Sequence, residues 1–184
     1  IMTKEVKEAS DNDSKYAQHN VTPLETSVGD ELNYRVTIKP DSRAQNAHLS
    51  NIKVKDDFNG NLGSKLTLNK VKVSYFNKNN VEYNDRAENY SAADIANLTD
   101  YTIPLKSNLL STDYVRLTYD VTINKDATEG ILTNTAYITQ SSYGPNTLPD
   151  NKRDGWYSNN SNIQIYNNGQ IIVRYVDRKT NELI

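Results

Sequence analysis

The sequence predicts an all-β fold: an antiparallel β-sandwich with at most one short helix. Short segments in which apolar and polar residues alternate recur along the chain, as expected for strands with one buried face. Turn signals rich in Gly, Pro and Asn separate these segments at regular spacing. A single short stretch carries the capping pattern of a helix. Many short strands with almost no helix favour a sandwich over other architectures.

The first half of the chain holds several candidate strands, which begin at the N-terminus. The alternating or extended segments are 2–7, 21–28, 32–39, 48–58 and 66–75. Pro23 excludes a central-strand position for the second segment, because proline cannot donate a backbone hydrogen bond. The apolar alternation slips in phase near Asn69, which predicts a β-bulge there. The polar stretch 77–89 is typical of a hairpin turn around Asn79-Asn80.

The second half begins with the candidate helix, 91–98. Ser91 can cap it, and Asp94 three residues later completes a capping-box pattern. The strands that follow are predicted at 101–105, 115–123, 131–139 and 162–166. We expect 115–123 and 131–139 to form a hairpin, because only a short turn-like segment separates them.

Composition excludes several function classes. The net charge is −2 with charges of both signs interspersed, so no basic stripe suggests nucleic acid. No apolar run approaches the roughly 20 residues that span a bilayer, so we expect no membrane insertion. The chain has no cysteine, and its two histidines, His19 and His48, lie in polar surroundings. Neither a metal site, nor a cofactor, nor a hydrolase triad is therefore expected. Calcium at 11–13 or 150–154 is an alternative, but neither loop has EF-hand spacing.

A polar residue interrupts the apolar face of three predicted strands. These residues are Lys4 between Met2 and Val6, Asp56 between Val54 and Phe58, and Asn134 between Leu132 and Ala136. A buried polar or charged group without a partner is costly, so each should be paired or neutral.

Together the three side chains form a chemically complete set. A desolvated lysine has a lowered pKa and can act as an amine nucleophile. A desolvated aspartic acid has a raised pKa and can donate a proton to the amide oxygen of asparagine. Attack by Lys4 on Asn134 would then release ammonia and leave an isopeptide bond. The alternative from the alternation alone is a Lys4–Asp56 salt bridge with an unrelated asparagine.

Four motifs in order resemble the isopeptide-forming pilin-like domains of Gram-positive surface adhesins. They are Lys4-Glu5-Val6, Gly29-Asp30-Glu31-Leu32-Asn33-Tyr34, Val54-Lys55-Asp56-Asp57-Phe58 and Asn134-Thr135-Ala136. The resemblance covers 1–168 and implies an immunoglobulin-like, pilin-like sandwich. It also implies that Lys4 is the nucleophile, Asp56 the proton relay and Asn134 the acyl acceptor. Asp57 beside Asp56 leaves the relay assignment open, and the segments 11–20 and 141–161 look like insertions.

The tail, 169–184, resembles the first hairpin of a mucin-binding (MucBP) repeat, through Gly169-Gln170-Ile171-Ile172-Val173-Arg174-Tyr175-Val176-Asp177. This implies an extracellular, cell-wall-anchored adhesin of a Gram-positive bacterium, with the anchor outside this segment. The predicted function is a structural stalk or presenter domain, not an enzyme. Its expected partners are neighbouring adhesin domains and host mucin or glycans.

The alternative function is a ligand-binding adhesin module. Tyr143, Trp156 and Tyr157 fall in one loop-like segment, and aromatic faces suit sugar rings. The competing interpretation is that Trp156 closes the end of the sandwich, as a large aromatic side chain often does.

Overall fold

The structure, a computed structural model, describes residues 1–40, 49–142 and 156–167. The strands in these ranges are β1 Met2–Glu8, β2 Leu24–Ser27, β3 Glu31–Ile38, β4 Lys53–Lys55, β5 Leu66–Phe76, β6 Glu88–Ser91, β7 Thr102–Pro104, β8 Tyr114–Ile123, β9 Gly130–Asn134, β10 Tyr137–Gln140 and β11 Ser161–Tyr166. The α-helix α1 spans Ala92–Ala96, and short 3-10 turns lie at Asp13–Lys15, Phe58–Gly60, Asn84–Arg86 and Thr99–Tyr101.

The strands form one five-stranded sheet and two three-stranded sheets. The five-stranded order is β1-β3-β8-β5-β6, and the smaller sheets are β10-β4-β7 and β2-β11-β9. Every pairing is antiparallel except that of β2 with β11, which is parallel. Apolar side chains from all three sheets join one buried cluster. The predicted all-β sandwich is therefore confirmed.

The long strands of the large sheet follow the alternation of the sequence. In β8, for example, buried and partly buried residues alternate along Val115–Ile123. Each fully buried large apolar side chain contributes about 1.5–3 kcal/mol, so this alternation fixes which face of the sheet turns inward. The pairing of β5 with β8 shifts between Leu68 and Lys70, which confirms the bulge predicted near Asn69. Ser91 and Asp94 form the predicted capping box of α1.

The predicted hairpin between 115–123 and 131–139 is wrong. Both edges of β8 are already paired, one with β3 and the other with β5. The chain after β8 therefore crosses to the opposite layer, where β9 pairs with β11. The short turn after β8 suggested that the next strand would pair with β8. Both edges of β8 are instead occupied by strands that are distant in sequence.

Two predicted strands are shorter than expected. The 131–139 segment breaks after Asn134, because β9 and β10 belong to different sheets. The 48–58 segment keeps strand pairing at Lys53–Lys55, and Asp56 and Phe58 follow it in a turn. Asp56 and Phe58 are buried as predicted, although turn geometry and not strand alternation places them there.

None of the helices in the described ranges combines the length and the apolar character that a membrane-spanning segment needs.

Candidate functional site

Lys4 lies in the middle of β1 with its side chain fully inside the sandwich (0% exposed). Its Nζ atom contacts a carboxylate oxygen of Asp56, which is equally buried. The rings of Phe58, Tyr34 and Tyr119 surround the amine, with centroids 4.7, 5.0 and 5.9 Å from Nζ. Phe58 stands edge-on to both tyrosine rings. The amine and the carboxyl therefore meet inside an aromatic cage that water does not reach.

The turn after β4 fixes the Asp56 carboxyl. Its Oδ1 accepts a hydrogen bond from the backbone N–H of Phe58 at 3.1 Å, which leaves Oδ2 for Lys4. Phe58 and Asn59 adopt φ angles of 52° and 53°. A bulky residue in this left-handed region is strained by about 1–3 kcal/mol and is a recognised mark of functional sites. In this turn the Phe58 ring lies over the Lys4 amine.

The neighbouring acid, Asp57, points the other way. Its Oδ1 accepts from the N–H of Asn59 at 3.0 Å, and its Oδ2 lies 3.6 Å from the ammonium of Lys55 near the surface. The sequence left open whether Asp56 or Asp57 is the proton relay. Asp56 contacts the Lys4 amine and Asp57 does not, which favours Asp56 for that role.

Burial acts on both ionisable groups in the direction of neutrality. Desolvation lowers the pKa of Lys4, against the opposing effect of Asp56. Desolvation also raises the pKa of Asp56, against the opposing effects of Lys4, the Phe58 N–H and the Asn134 side chain. Moving the proton from the amine to the carboxyl changes no net charge in the cage. It removes two buried charges, each of which costs several kcal/mol to desolvate. Desolvation therefore favours the neutral forms of both groups, an amine and a carboxylic acid.

Asn134 is the last residue of β9 and is fully buried. Neither polar atom of its carboxamide has a hydrogen bond of normal geometry within the described part of the chain. The side chain nevertheless lies close enough to Asp56 to act on its carboxyl as a hydrogen-bonding group, which opposes the rise that burial causes in the pKa of Asp56. The carbonyl of the preceding Thr133 accepts from the Asn59 side chain at 2.8 Å, which holds β9 against the Asp56 turn.

A buried carboxamide with no hydrogen bond of normal geometry among the described residues is unusual, since buried polar side chains are nearly always hydrogen-bonded. A buried polar group without a good hydrogen bond costs about 1–3 kcal/mol. The Asn134 carboxamide thus lies beside the carboxyl group that contacts the Lys4 amine, and the carbon of an amide is an electrophile. The arrangement can therefore support acyl transfer from the Asn134 amide to the Lys4 amine.

Sequence reasoning missed a residue that contacts this site from the far end of the chain. Asn159 accepts a hydrogen bond from Lys4 N at 2.8 Å and donates one to Lys4 O at 2.9 Å. It lies in the loop before β11, 155 residues away, and an asparagine in a loop gives no signal of such a contact.

Three aromatic residues were predicted to bind a ligand, and the structure describes two of them, Trp156 and Tyr157. Tyr143 lies outside the described residues. Trp156 is half-buried, and its carbonyl accepts from the N–H of Ile138 at 2.9 Å. Tyr157 is 37% exposed and stacks edge-on against Tyr137, with centroids 5.6 Å apart. These contacts tie the segment to β10, and a glycan-binding role stays a prediction.

The loop 11–13, considered above for calcium, already has a cation. The Lys7 ammonium donates to the Asp11 carbonyl at 2.8 Å, and the Asn12 side chain accepts from the Ser14 N–H at 3.2 Å. No group of three or more metal-binding side chains occurs in the described ranges. The 150–154 loop and His48 lie outside those ranges, and His19 Nδ1 lies 3.2 Å from the Thr22 carbonyl oxygen.

Comparisons with known proteins found structural similarity at low sequence identity. The C-terminal domain of the Streptococcus agalactiae AgI/II polypeptide BspA shares 13% identity at a TM-score of 0.46, over 89% of this chain and 49% of that one. The C-terminal domain of the Streptococcus pyogenes antigen I/II-family protein AspA shares 12% at 0.44, over 89% and 46%. The group B streptococcus pilus 2b backbone protein shares 16% at 0.41, over 86% and 60%.

The chain thus spans about half the length of the first two structures and somewhat more of the third. No family model and no curated protein sequence matches it. No functional assignment follows from similarities of this size.

Proposed function

We propose that this chain is a structural stalk or presenter domain of a Gram-positive cell-surface adhesin, stabilised by an isopeptide bond that forms between Lys4 and Asn134. One observation carries the proposal: a buried Lys4–Asp56 pair lies inside an aromatic cage, beside a buried Asn134 carboxamide that makes no hydrogen bond of normal geometry among the described residues. The motif order described above, with its resemblance to pilin-like adhesin domains, supplies the biological context.

The reaction needs no group from outside the site. Asp56 donates a hydrogen bond to Oδ1 of Asn134 and polarises its carbon, and the Lys4 nitrogen attacks that carbon. The amine proton passes through Asp56 to Nδ2, which leaves as ammonia. One C–N bond forms, one breaks, and Asp56 returns to its starting state. Folding supplies the high effective concentration of the reactants, so the bond forms once per chain without turnover.

The bond would give both thermodynamic and mechanical stability. It closes a ring of more than a hundred residues, which by chain-entropy reasoning is worth about 5 kcal/mol. Unlike a disulfide, it resists reduction. A force applied between the termini would pass along β1, across the bond and out through β9, so the segment between Lys4 and Asn134 could not be extended. This is the property that a stalk requires.

Single-molecule force spectroscopy tests the mechanical role. The chain is held between its termini and pulled until it unfolds. The expected extension corresponds to the residues outside 4–134, whereas the Asn134→Ala variant should release the extension of the whole folded domain. Full extension of the unaltered chain would contradict the stalk function.

The tail, 169–184, lies outside the described residues. On its sequence we propose that it opens a MucBP-like domain, so that the sandwich would present a mucin-binding neighbour. Mucin or glycan binding by the sandwich itself is the second candidate. Loss of mucin binding on changing Trp156 to Ala would favour it.

A further inference from the structure

The backbone N–H and C=O groups on the outward edge of β1 are hydrogen-bonded in two different ways. β1 stands at the end of the five-stranded order, so alternate residues turn their N–H and C=O groups away from β3. At Val6 these groups form a bridge with the backbone of Ala17, at 2.8 and 3.3 Å. At Lys4, two residues earlier, the side-chain amide of Asn159 takes the same two roles. One side chain thus replaces a strand at the reactive residue.

The same loop also holds the chain next to Asn134. Ser158 Oγ donates to the Asn159 carbonyl and accepts from the Ala136 N–H, both at 2.8 Å. The Ser158 N–H donates to the Ala136 carbonyl at 2.9 Å. Thr135 Oγ1 donates to the Asn160 side chain at 2.6 Å. The segment 158–160 therefore connects the backbone of the nucleophile to the two residues that follow the acceptor.

We propose that Asn159 is a positioning residue for the crosslinking reaction, an inference that rests on the proposed isopeptide bond. By fixing the Lys4 backbone relative to the turn after Asn134, it sets the distance between amine and carboxamide. Reactions between held groups are sensitive to such placement, and a shift of about 1 Å can cost about a hundredfold in rate. Asn159 touches no reacting atom, so its effect is on approach and not on proton transfer.

The test measures crosslinking separately from folding. The full chain is recovered unfolded in urea before it has reacted, and dilution into buffer starts the reaction. Circular dichroism follows folding, and intact mass of samples quenched in acid follows loss of ammonia. The variants are Asn159→Ala, which removes both hydrogen bonds, and Asn159→Asp, which keeps the acceptor for Lys4 N–H. Asn162→Ala is the matched control, because that asparagine lies close by and donates instead to the Asn20 carbonyl.

Asn159→Ala should fold and then crosslink about tenfold more slowly or worse. The crosslinking rate of Asn159→Asp should lie between those of Asn159→Ala and the unaltered chain. The rate of the control should stay within about twofold of that of the unaltered chain. If Asn159→Ala does not fold, Asn159→Asp carries the comparison alone. Crosslinking of the Asn159 variants at the normal rate, or equal slowing by the control, would overturn the positioning role while leaving the bond itself intact. An unaltered chain that folds without losing ammonia would overturn the proposed function as well.

Discussion

Lys4 and Lys7 lie three residues apart on β1, and both are almost completely buried. The Lys7 ammonium donates to the carbonyls of Glu8, Ala9 and Asp11 and to Oδ1 of Asn33, at 2.8 to 3.3 Å. The Lys4 amine faces aromatic rings, and among the described residues its hydrogen-bond partner is the Asp56 carboxyl.

This difference in surroundings is the reason why Lys4, and not Lys7, is the proposed nucleophile. An ammonium surrounded by oxygen acceptors is stabilised in its charged form and has no lone pair to offer. An amine surrounded by carbon and one acid is pushed towards neutrality and keeps its lone pair. Burial alone therefore does not identify a nucleophile, whereas the polarity of what surrounds it does.

Removal of Asn134, the proposed acyl acceptor, should have the largest effect. Asn134→Ala should prevent crosslinking and lower the free energy of unfolding by about 5 kcal/mol, because the closed ring is lost. Guanidinium denaturation followed by circular dichroism measures the change. In a Lys4→Ala background the same substitution should cost little, since the bond is already absent. Additive losses would mean that the two residues act independently.

The crosslinking rate should depend on the protonation of both Lys4 and Asp56, and therefore on pH. In the proposed reaction, Lys4 and Asp56 hold one proton between them. At low pH the amine gains a proton and loses its lone pair; at high pH the carboxyl loses the proton that it must donate. The crosslinking rate should therefore fall at both low and high pH. The lowered pKa of Lys4 moves the fall on the acid side to lower pH, and the raised pKa of Asp56 moves the fall on the alkaline side to higher pH.

Refolding at a series of pH values, with mass as the readout, should therefore give a bell-shaped rate with a broad maximum. Each limb should change by about tenfold per pH unit. A rate that keeps rising to pH values at which ordinary lysines lose their protons would show that Lys4 reacts without help from Asp56.

Lys7→Met should have a smaller effect, and on stability alone. It removes the cation from the carbonyls of Glu8, Ala9 and Asp11, so we expect a loss of about 2 kcal/mol. Crosslinking should proceed at the normal rate, because Lys7 lies on the opposite face of the strand. Lys72→Met is the control, since Lys72 is exposed on β5 and should change little. Failure of Lys7→Met to crosslink, although folded, would remove the distinction between the two lysines.

The site was predictable where it depended on alternation. Lys4 could be identified because its neighbours Met2 and Val6 share its face of β1, and strand parity is a local property. Asn134 was identified in the same way, although its strand ends there and the next residues enter another sheet. The burial of Asp56 was predicted, but its turn was not.

The remaining parts of the site depend on contacts that no local pattern encodes. The left-handed backbone of Phe58 arises from the turn that hydrogen-bonds Asp56 and Asp57 to the backbone. The contact of Asn159 with Lys4 exists only once the two ends of the chain have come together. The position of β9 beside β11, and not beside β8, likewise follows from the pairing of the whole sheet.

Intact mass under denaturing conditions shows whether the bond between Lys4 and Asn134 forms. The unaltered chain should weigh one ammonia less than its sequence, and fragmentation should locate the loss in a peptide that joins Lys4 to Asn134. The full sequence mass should return in the Lys4→Ala, Asp56→Ala and Asn134→Ala variants, each corrected for its own substitution, but not in Lys7→Met. A folded, unaltered chain with the full sequence mass would show that the proposed bond between Lys4 and Asn134 does not form.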